Sequence, residues 1–378
     1  MNNTILTGLI MVKNQEKSIL ETIDSVKELC DKIIVIDTGS TDNTVRNIKS
    51  SYPNINIYFE DWEENYGCMR NKCLKYVSIE EWILFIDSDE IIKSDCSYED
   101  IHYFLNHIDS LCSNSDIVCT FKQLHVGRTS FYHTERIIKK TDSIYYYGYV
   151  HEEPRSKKNL IKFNTDIEII NKGSSKAELE KFDKKKRYTR LLMKNICEEP
   201  DNPRWYTLLT PLSIEYGILT LNEYGKMLEN QILFDTNLPL SDINLRKTPY
   251  LPILLERYCV HLIKINKFIK AKEYISFSKK IFPNNVNFII YEESLFLKEM
   301  DIECSSRLQD IINFMKKNDS SVIHEVSEGT EEGLSGIVVK LLIILGRYHD
   351  AKKIANQITD GMILDMLNLE INVLKQIE

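Results

Sequence analysis

A chain of 378 residues has room for two domains, and 43% hydrophobic against 28% charged residues, with 13 Gly and 9 Pro, excludes collagen-like and low-complexity classes. The 48 basic and 56 acidic side chains leave a net charge of −8, which offers no electrostatic footprint for nucleic acid or an anionic membrane. The 9 cysteines are an odd number with no Cys-x-x-Cys pair, so reduced thiols in the cytoplasm are expected instead of a disulfide framework or a structural zinc site.

The apolar run Ile5 to Val12 falls far short of the ~20 residues that cross a bilayer, so no membrane span is expected there and the run reads as a buried strand. Lys32 to Ile36, Ile55 to Phe59 and Trp82 to Ile86 read likewise. Between them lie three helical patterns, carrying Ile19, Ile23 and Val26, then Val45 and Ile48, then Cys73, Leu74 and Val77. The order βαβαβαβ predicts an open, mostly parallel α/β sheet whose ligands sit beyond the carboxyl ends of the strands. A helix over Tyr98 to Ile108 follows, and then shorter strands at Ile117 to Leu124, Thr134 to Lys139, Tyr145 to Val150 and Ile161 to Ile170, an α+β or hairpin-like part.

From Ser174 onward strand patterns fade, and Ala177 to Cys197 opens a run of amphipathic helices. This divides the chain into a sheet domain over 1–173 and an all-α domain over 174–378. Phe268-x-x-Ala271-x-x-Tyr274 and Tyr348-x-x-Ala351 place an aromatic three residues before a small residue, as tetratricopeptide-like helix pairs do. The basic run Lys184 to Arg187 reads as a solvated helix face.

Three strands end in polar clusters: Lys13-Asn14-Gln15-Glu16, Asp37-Thr38-Gly39-Ser40-Thr41-Asp42 and Asp87-Ser88-Asp89-Glu90. In the second, Gly39 suits a tight turn, Thr41 or Asp42 suits a helix cap, and Asp37 is left to accept hydrogen bonds. In the third, two carboxylates at i and i+2 end a buried strand and repel unless a cation joins them. Mg²⁺ or Mn²⁺ would do so and keep coordination positions for diphosphate oxygens. Tyr147-Gly148-Tyr149-Val150-His151-Glu152-Glu153-Pro154 runs an aromatic strand into a His and two carboxylates, a nitrogen ligand beside a candidate general base. Neither G-x-G-x-x-G nor G-x-x-x-x-G-K-[ST] occurs, which disfavours dinucleotide oxidoreductases and P-loop enzymes.

The succession of these clusters, with Trp62 to Arg70-Asn71 between the second and third, resembles the family 2 glycosyltransferases of GT-A fold that carry a C-terminal tetratricopeptide-like domain. Trp62 to Asn71, Val150 to Pro154 and Glu199-Pro200-Asp201-Asn202-Pro203-Arg204-Trp205 are most similar to the sublancin-type peptide S-glycosyltransferases, which glycosylate Cys or Ser of glycocin bacteriocins. The resemblance implies a UDP-hexose donor and a small Cys-containing peptide acceptor. It implies further that Val12, Lys13, Asn14, Glu16 and Asp37 hold the uracil and ribose, and that Arg70 lies by the nucleotide or diphosphate. Asp87 and Ser88 would lie by the ribose or sugar, Asp89 and His151 on the metal, with Glu152 or Glu153 as the base in an inverting displacement. Asn65, Cys68, Met69 and Asn171 depart from the common pattern. The helical part is assigned to acceptor binding or to the pairing of two copies in a homodimer. Rival readings are the same chemistry on a protein hydroxyl or a surface polysaccharide, and a non-catalytic helical-repeat scaffold.

Overall fold

The computed structural model describes residues 4–93, 95–112, 114–125, 131–172, 184–317 and 331–376. The chain divides into two compact units, Met1–Met227 and Leu228–Glu378. The expected boundary at 173 and 174, and the expected helix start at Ala177, lie outside the described residues. Helices Lys184–Glu198, Pro203–Leu208 and Leu212–Glu215 belong with the sheet in the first unit.

In that unit β1 (Leu6–Val12), β2 (Lys32–Asp37), β3 (Asn56–Phe59) and β4 (Trp82–Asp87) pair in parallel in the order β3-β2-β1-β4. Their side chains alternate between two apolar layers. Leu6, Ile10 and Val12 of β1 pack with Ile19, Ile23 and Val26 of α1 (Ile19–Val26). Leu9 faces the other way, onto Cys73 and Leu74 at the end of α3 (Tyr66–Cys73). This is the βαβ alternation read from the periodicity, with one shift: the helical pattern expected to reach Val77 starts and ends earlier.

The later strands include antiparallel hairpins, as expected, and most of them join the same sheet. β5 (Glu90–Lys93), β6 (Asp116–His125), β7 (Phe131–Lys139) and β10 (Leu160–Asn171) continue the sheet in the order β4-β7-β6-β10-β5, giving eight strands. β7 enters antiparallel beside β4, and β6 and β10 pair in parallel. The strand expected over Tyr145 to Val150 stops at Tyr147, because Gly148 turns the chain at φ +118°. Ile144–Tyr147 (β8) then pairs with Glu153–Ser156 (β9) as a separate small sheet. Neither β5 nor β9 is signalled by apolar periodicity, since each is 4 residues long and charged.

The second unit is helical. Leu251–Lys264, Phe268–Ile281, Val286–Lys317, Glu331–Ile344 and Tyr348–Ala355 each pack on the next in sequence. Ala271 and Ala351, the small residues of the two repeat-like segments, are fully buried there. Among the described residues no helix is long and apolar enough to cross a membrane. All nine cysteines are free thiols.

Candidate active site

The sheet register brings three strand ends into one row: Val12 pairs with Asp37, and Met11 with Asp87. Beyond that row lies a cleft of about 680 Å³. Its floor includes Val12, Lys13, Thr38, Asp87, Ser88 and Asp89, and its side includes Arg70, His151 and Glu152.

The loop after β1 is fastened to the loop after β2. Asn14, at φ +52°, accepts from the Thr41 amide at 2.7 Å, while Glu16 accepts from the Asn43 amide at 3.0 Å. Asn14, Glu16 and Asp37 do not line the cleft. Asn14 and Glu16 shape the loop that presents Lys13, whose ammonium forms no ion pair among the described residues. The second helix, Thr44–Ser51, has Asn43 at its N-cap and not Thr41 or Asp42; Asp42, one residue earlier, accepts from the Thr44 amide at 3.0 Å. Asp37 is 2% exposed, and its two oxygens differ: Oδ1 accepts from Gly39 and Ser40 amides at 3.0 and 2.9 Å, and Oδ2 is buried without a partner. Gly39 holds that turn at φ +97°.

The carboxylates after β4 belong to a run of alternating charge. Glu152 Oε1 accepts from Arg70 Nε at 2.6 Å, and Arg70 Nη2 reaches Asp87 Oδ1 at 3.3 Å. Asp87 Oδ2 is 3.5 Å from Arg136 Nη2, and Arg136 holds Glu90 through Nη2 at 2.6 Å and Nε at 3.1 Å. Glu90 is fully buried and also takes Gln123 and Asn171 side-chain amides and the Asp87 amide. Burial pushes its carboxyl above the ordinary range, against the pull of Arg136. Alternation lets each buried charge meet an opposite one, the condition under which buried ions persist. Glu90 and Arg136 were not assigned a role from the sequence; they brace the Asp87 to Asp89 turn from below, and Asn171 serves the same brace. Ser18 Oγ donates to the Ser88 carbonyl at 2.9 Å from the other side.

Arg70 reaches Glu152 because α3 abuts the Gly148 turn. The Tyr66 and Gly67 amides donate to the Tyr149 and Gly148 carbonyls at 3.0 and 2.9 Å. Asn71 clamps the Tyr146 backbone with two bonds of 2.8 Å. A Cβ on Gly67 would stand 2.9 Å from the Gly148 oxygen and 3.1 Å from its nitrogen. Gly67→Ala is therefore expected to cost ~1–3 kcal/mol, read as a lower denaturant midpoint; an unchanged midpoint would show that the two backbones can part freely.

Behind the turn, Asn195 takes the Tyr149 amide at 2.7 Å and gives to the Val150 carbonyl at 2.9 Å. Arg204 donates to the His151 carbonyl at 2.8 Å, which steadies His151 at φ +54°. Desolvation lowers the His151 imidazole below its usual value, so the neutral, ligand-competent form dominates near pH 7. Glu153 does not line the cleft: Arg155 and Arg204 hold it at 2.9 and 2.8 Å. Glu199 is bound by both Arg155 terminal nitrogens at 2.6 and 2.9 Å, and Arg155, with help from Asn202 and Trp205, brings its pKa down to about 2. A lowered carboxylate stabilises the fold above its unfolded pKa and loses that contribution as pH falls toward the folded one. Glu199→Gln is thus expected to flatten the fall in stability between about pH 5 and 2, measured by denaturant titration across that window; an unchanged acid limb would count against this pairing.

Part of the basic run faces the cleft instead of bulk solvent alone. Lys185 and Arg187 line the cleft, together with Trp62, Tyr66 and Tyr188.

For a divalent ion, the described residues bring no three His, Cys, Asp or Glu side chains together as ligands. Asp89 and His151 line the same cleft. One carboxylate and one imidazole, with the remaining shell open, suit Mn²⁺ or Mg²⁺ taken up with substrate phosphates better than an all-protein cage.

Residues 9–170 match the model of glycosyl transferase family 2. Along 99% of its length the chain is 24% identical to the SPbeta prophage-derived glycosyltransferase SunS of Bacillus subtilis (strain 168), of which it covers 85%. It is 31% identical to the O-antigen chain rhamnosyltransferase WbaN of Salmonella anatum over 30% of this chain and 36% of that one. Among solved structures, S. aureus TarS 1-349 aligns at TM-score 0.36 and 15% identity, over 77% of this chain and 91% of that one. The matched residues 9–170 take in most of the sheet and most of the cleft lining, so this part of the chain is similar to family 2 glycosyl transferases.

Proposed function

We propose that this protein moves a hexose from a UDP-sugar, with inversion, to a Cys or Ser side chain of a small bacteriocin precursor peptide. The observation that carries the reading is the cleft itself, where Asp87, Asp89, His151, Glu152 and Arg70 meet beyond the ends of β1, β2 and β4. Lys13, Lys185 and Arg187 also line it and form no ion pair among the described residues, as a site for an anionic donor requires. The match to SunS along 99% of the chain, together with the motifs shared with sublancin-type enzymes, supports the peptide acceptor. The helical second unit supports it too, since stacked helix pairs of tetratricopeptide type suit peptide capture.

In this reading the uridine lies over the loop after β1, where Val12, Lys13 and Gln15 line the cleft, and Asp37 behind it holds the Gly39 turn in place. Asp89 and His151 would hold Mg²⁺ or Mn²⁺, which would neutralise diphosphate charge and orient the leaving group. Arg70 fixes Glu152, and Glu152 takes the proton of the acceptor thiol or hydroxyl. The acceptor atom attacks the anomeric carbon, the bond from that carbon to the diphosphate oxygen breaks, and UDP departs with the electron pair. Glu153, committed to two arginines, is the weaker candidate for the base.

The test is UDP release from a panel of UDP-sugars by the full chain with Mn²⁺, with the product anomer read by NMR. Inverted product is expected. Retained configuration would remove the single displacement, and no release from any UDP-sugar would remove the donor.

A further inference from the structure

Of the arginines in the cleft, Arg70 and Arg136 are ion-paired with carboxylates, and Arg187 pairs with none among the described residues. Three aromatic rings surround its guanidinium instead: Trp62 and Tyr66 at 5.9 Å and Tyr188 at 5.8 Å. Its Nη2 donates to Tyr66 Oη at 2.6 Å, and its Nε is buried with no hydrogen-bond partner among the described residues. Tyr188 Oη donates to the same Tyr66 oxygen at 3.2 Å. Both acceptor positions of the Tyr66 hydroxyl are then filled, and its own hydrogen has no acceptor among the described residues. Burial raises the Tyr66 and Tyr188 phenols above their usual value, so both stay protonated.

This wall therefore offers a ring-caged guanidinium, a phenol hydrogen and the Lys185 ammonium, all donors, and none is ion-paired or hydrogen-bonded to a carboxylate among the described residues. Rings that hold the cation in place reduce the ordering cost of binding. The complement to such a set is an oxyanion. Tyr188 stands against His151, ring centroids 6.0 Å apart, so the wall adjoins the proposed diphosphate position.

We propose that Arg187 and Tyr66 form an oxyanion subsite that takes the terminal phosphoryl group of the nucleoside diphosphate, in donor and in product. The proposal rests on the UDP-sugar reading above and adds to it a cation supplied by the helix after the sheet. The negative charge that gathers on the leaving phosphoryl oxygen then meets the Arg187 guanidinium.

The test is calorimetric binding of UDP, UMP and inorganic pyrophosphate to the full chain with Mn²⁺, for the parent protein, Arg187→Gln, Arg187→Lys and Tyr66→Phe. Arg187→Gln is expected to weaken UDP about tenfold or more while UMP changes less than about twofold, with partial recovery in Arg187→Lys. Tyr66→Phe keeps the ring cage and is expected to weaken UDP several-fold, which decides the matter if Arg187→Gln does not fold. Equal weakening of UDP and UMP, or of neither, overturns the subsite and leaves the donor reading standing. If the parent protein binds no uridine nucleotide but binds pyrophosphate through Arg187, the donor reading falls and the subsite stands. Binding of none of the three removes both.

Discussion

Asp89→Asn is expected to lower sugar transfer by about 10³-fold or more, because a carboxylate that shares a divalent ion with a diphosphate acts where transition-state charge gathers. The variant is expected to fold. The turn that carries Asp89 is held independently of its side chain: the Lys172 amide donates to the Asp89 carbonyl at 2.9 Å, Ser18 binds the Ser88 carbonyl, and Glu90 with Arg136 braces the strand end beneath. Initial rates alongside a thermal unfolding curve check both halves. Transfer within tenfold of the parent rate, in a folded variant, would remove Asp89 from the metal.

Glu152→Gln is expected to lower kcat by ~10² to 10⁴, the range for loss of a general base. The amide oxygen can still accept from Arg70 Nε, which binds Glu152 at 2.6 Å, so the side chain keeps its place and the proton acceptor alone is lost. UDP affinity is accordingly expected to stay near the parent value, separating this variant from Asp89→Asn. Glu153→Gln is the control, since Glu153 serves Arg155 and Arg204: its effect is expected on the unfolding midpoint, with kcat little changed. A larger kcat loss in Glu153→Gln than in Glu152→Gln would reverse the assignment of the base.

The sheet was legible because β1, β2 and β4 are buried on both faces, and such strands read as near-continuous apolar runs. Their ends were legible for the same reason: Asp37 and Asp87 interrupt apolar runs abruptly, and parallel pairing aligns those interruptions. The brace under the site was not, because Arg136 and Glu90 are 46 positions apart and only the insertion of β7 beside β4 brings them together. Arg187 escaped for a related reason. Four consecutive basic residues resemble a solvated face, and nothing local shows that Trp62 and Tyr66 lie across from one of them. Asp37 was half legible: its strand-end position was plain, but the split between an oxygen used by the Gly39 turn and an oxygen left unpartnered is a matter of three-dimensional geometry.

The direct measurement is intact-mass spectrometry of a small Cys-containing precursor peptide incubated with the full chain, Mn²⁺ and each UDP-hexose in turn, with a Cys to Ser peptide alongside. The predicted result is a gain of one hexose residue that requires Mn²⁺, maps to the Cys and withstands β-elimination. UDP release with no gain on any peptide would contradict the peptide acceptor.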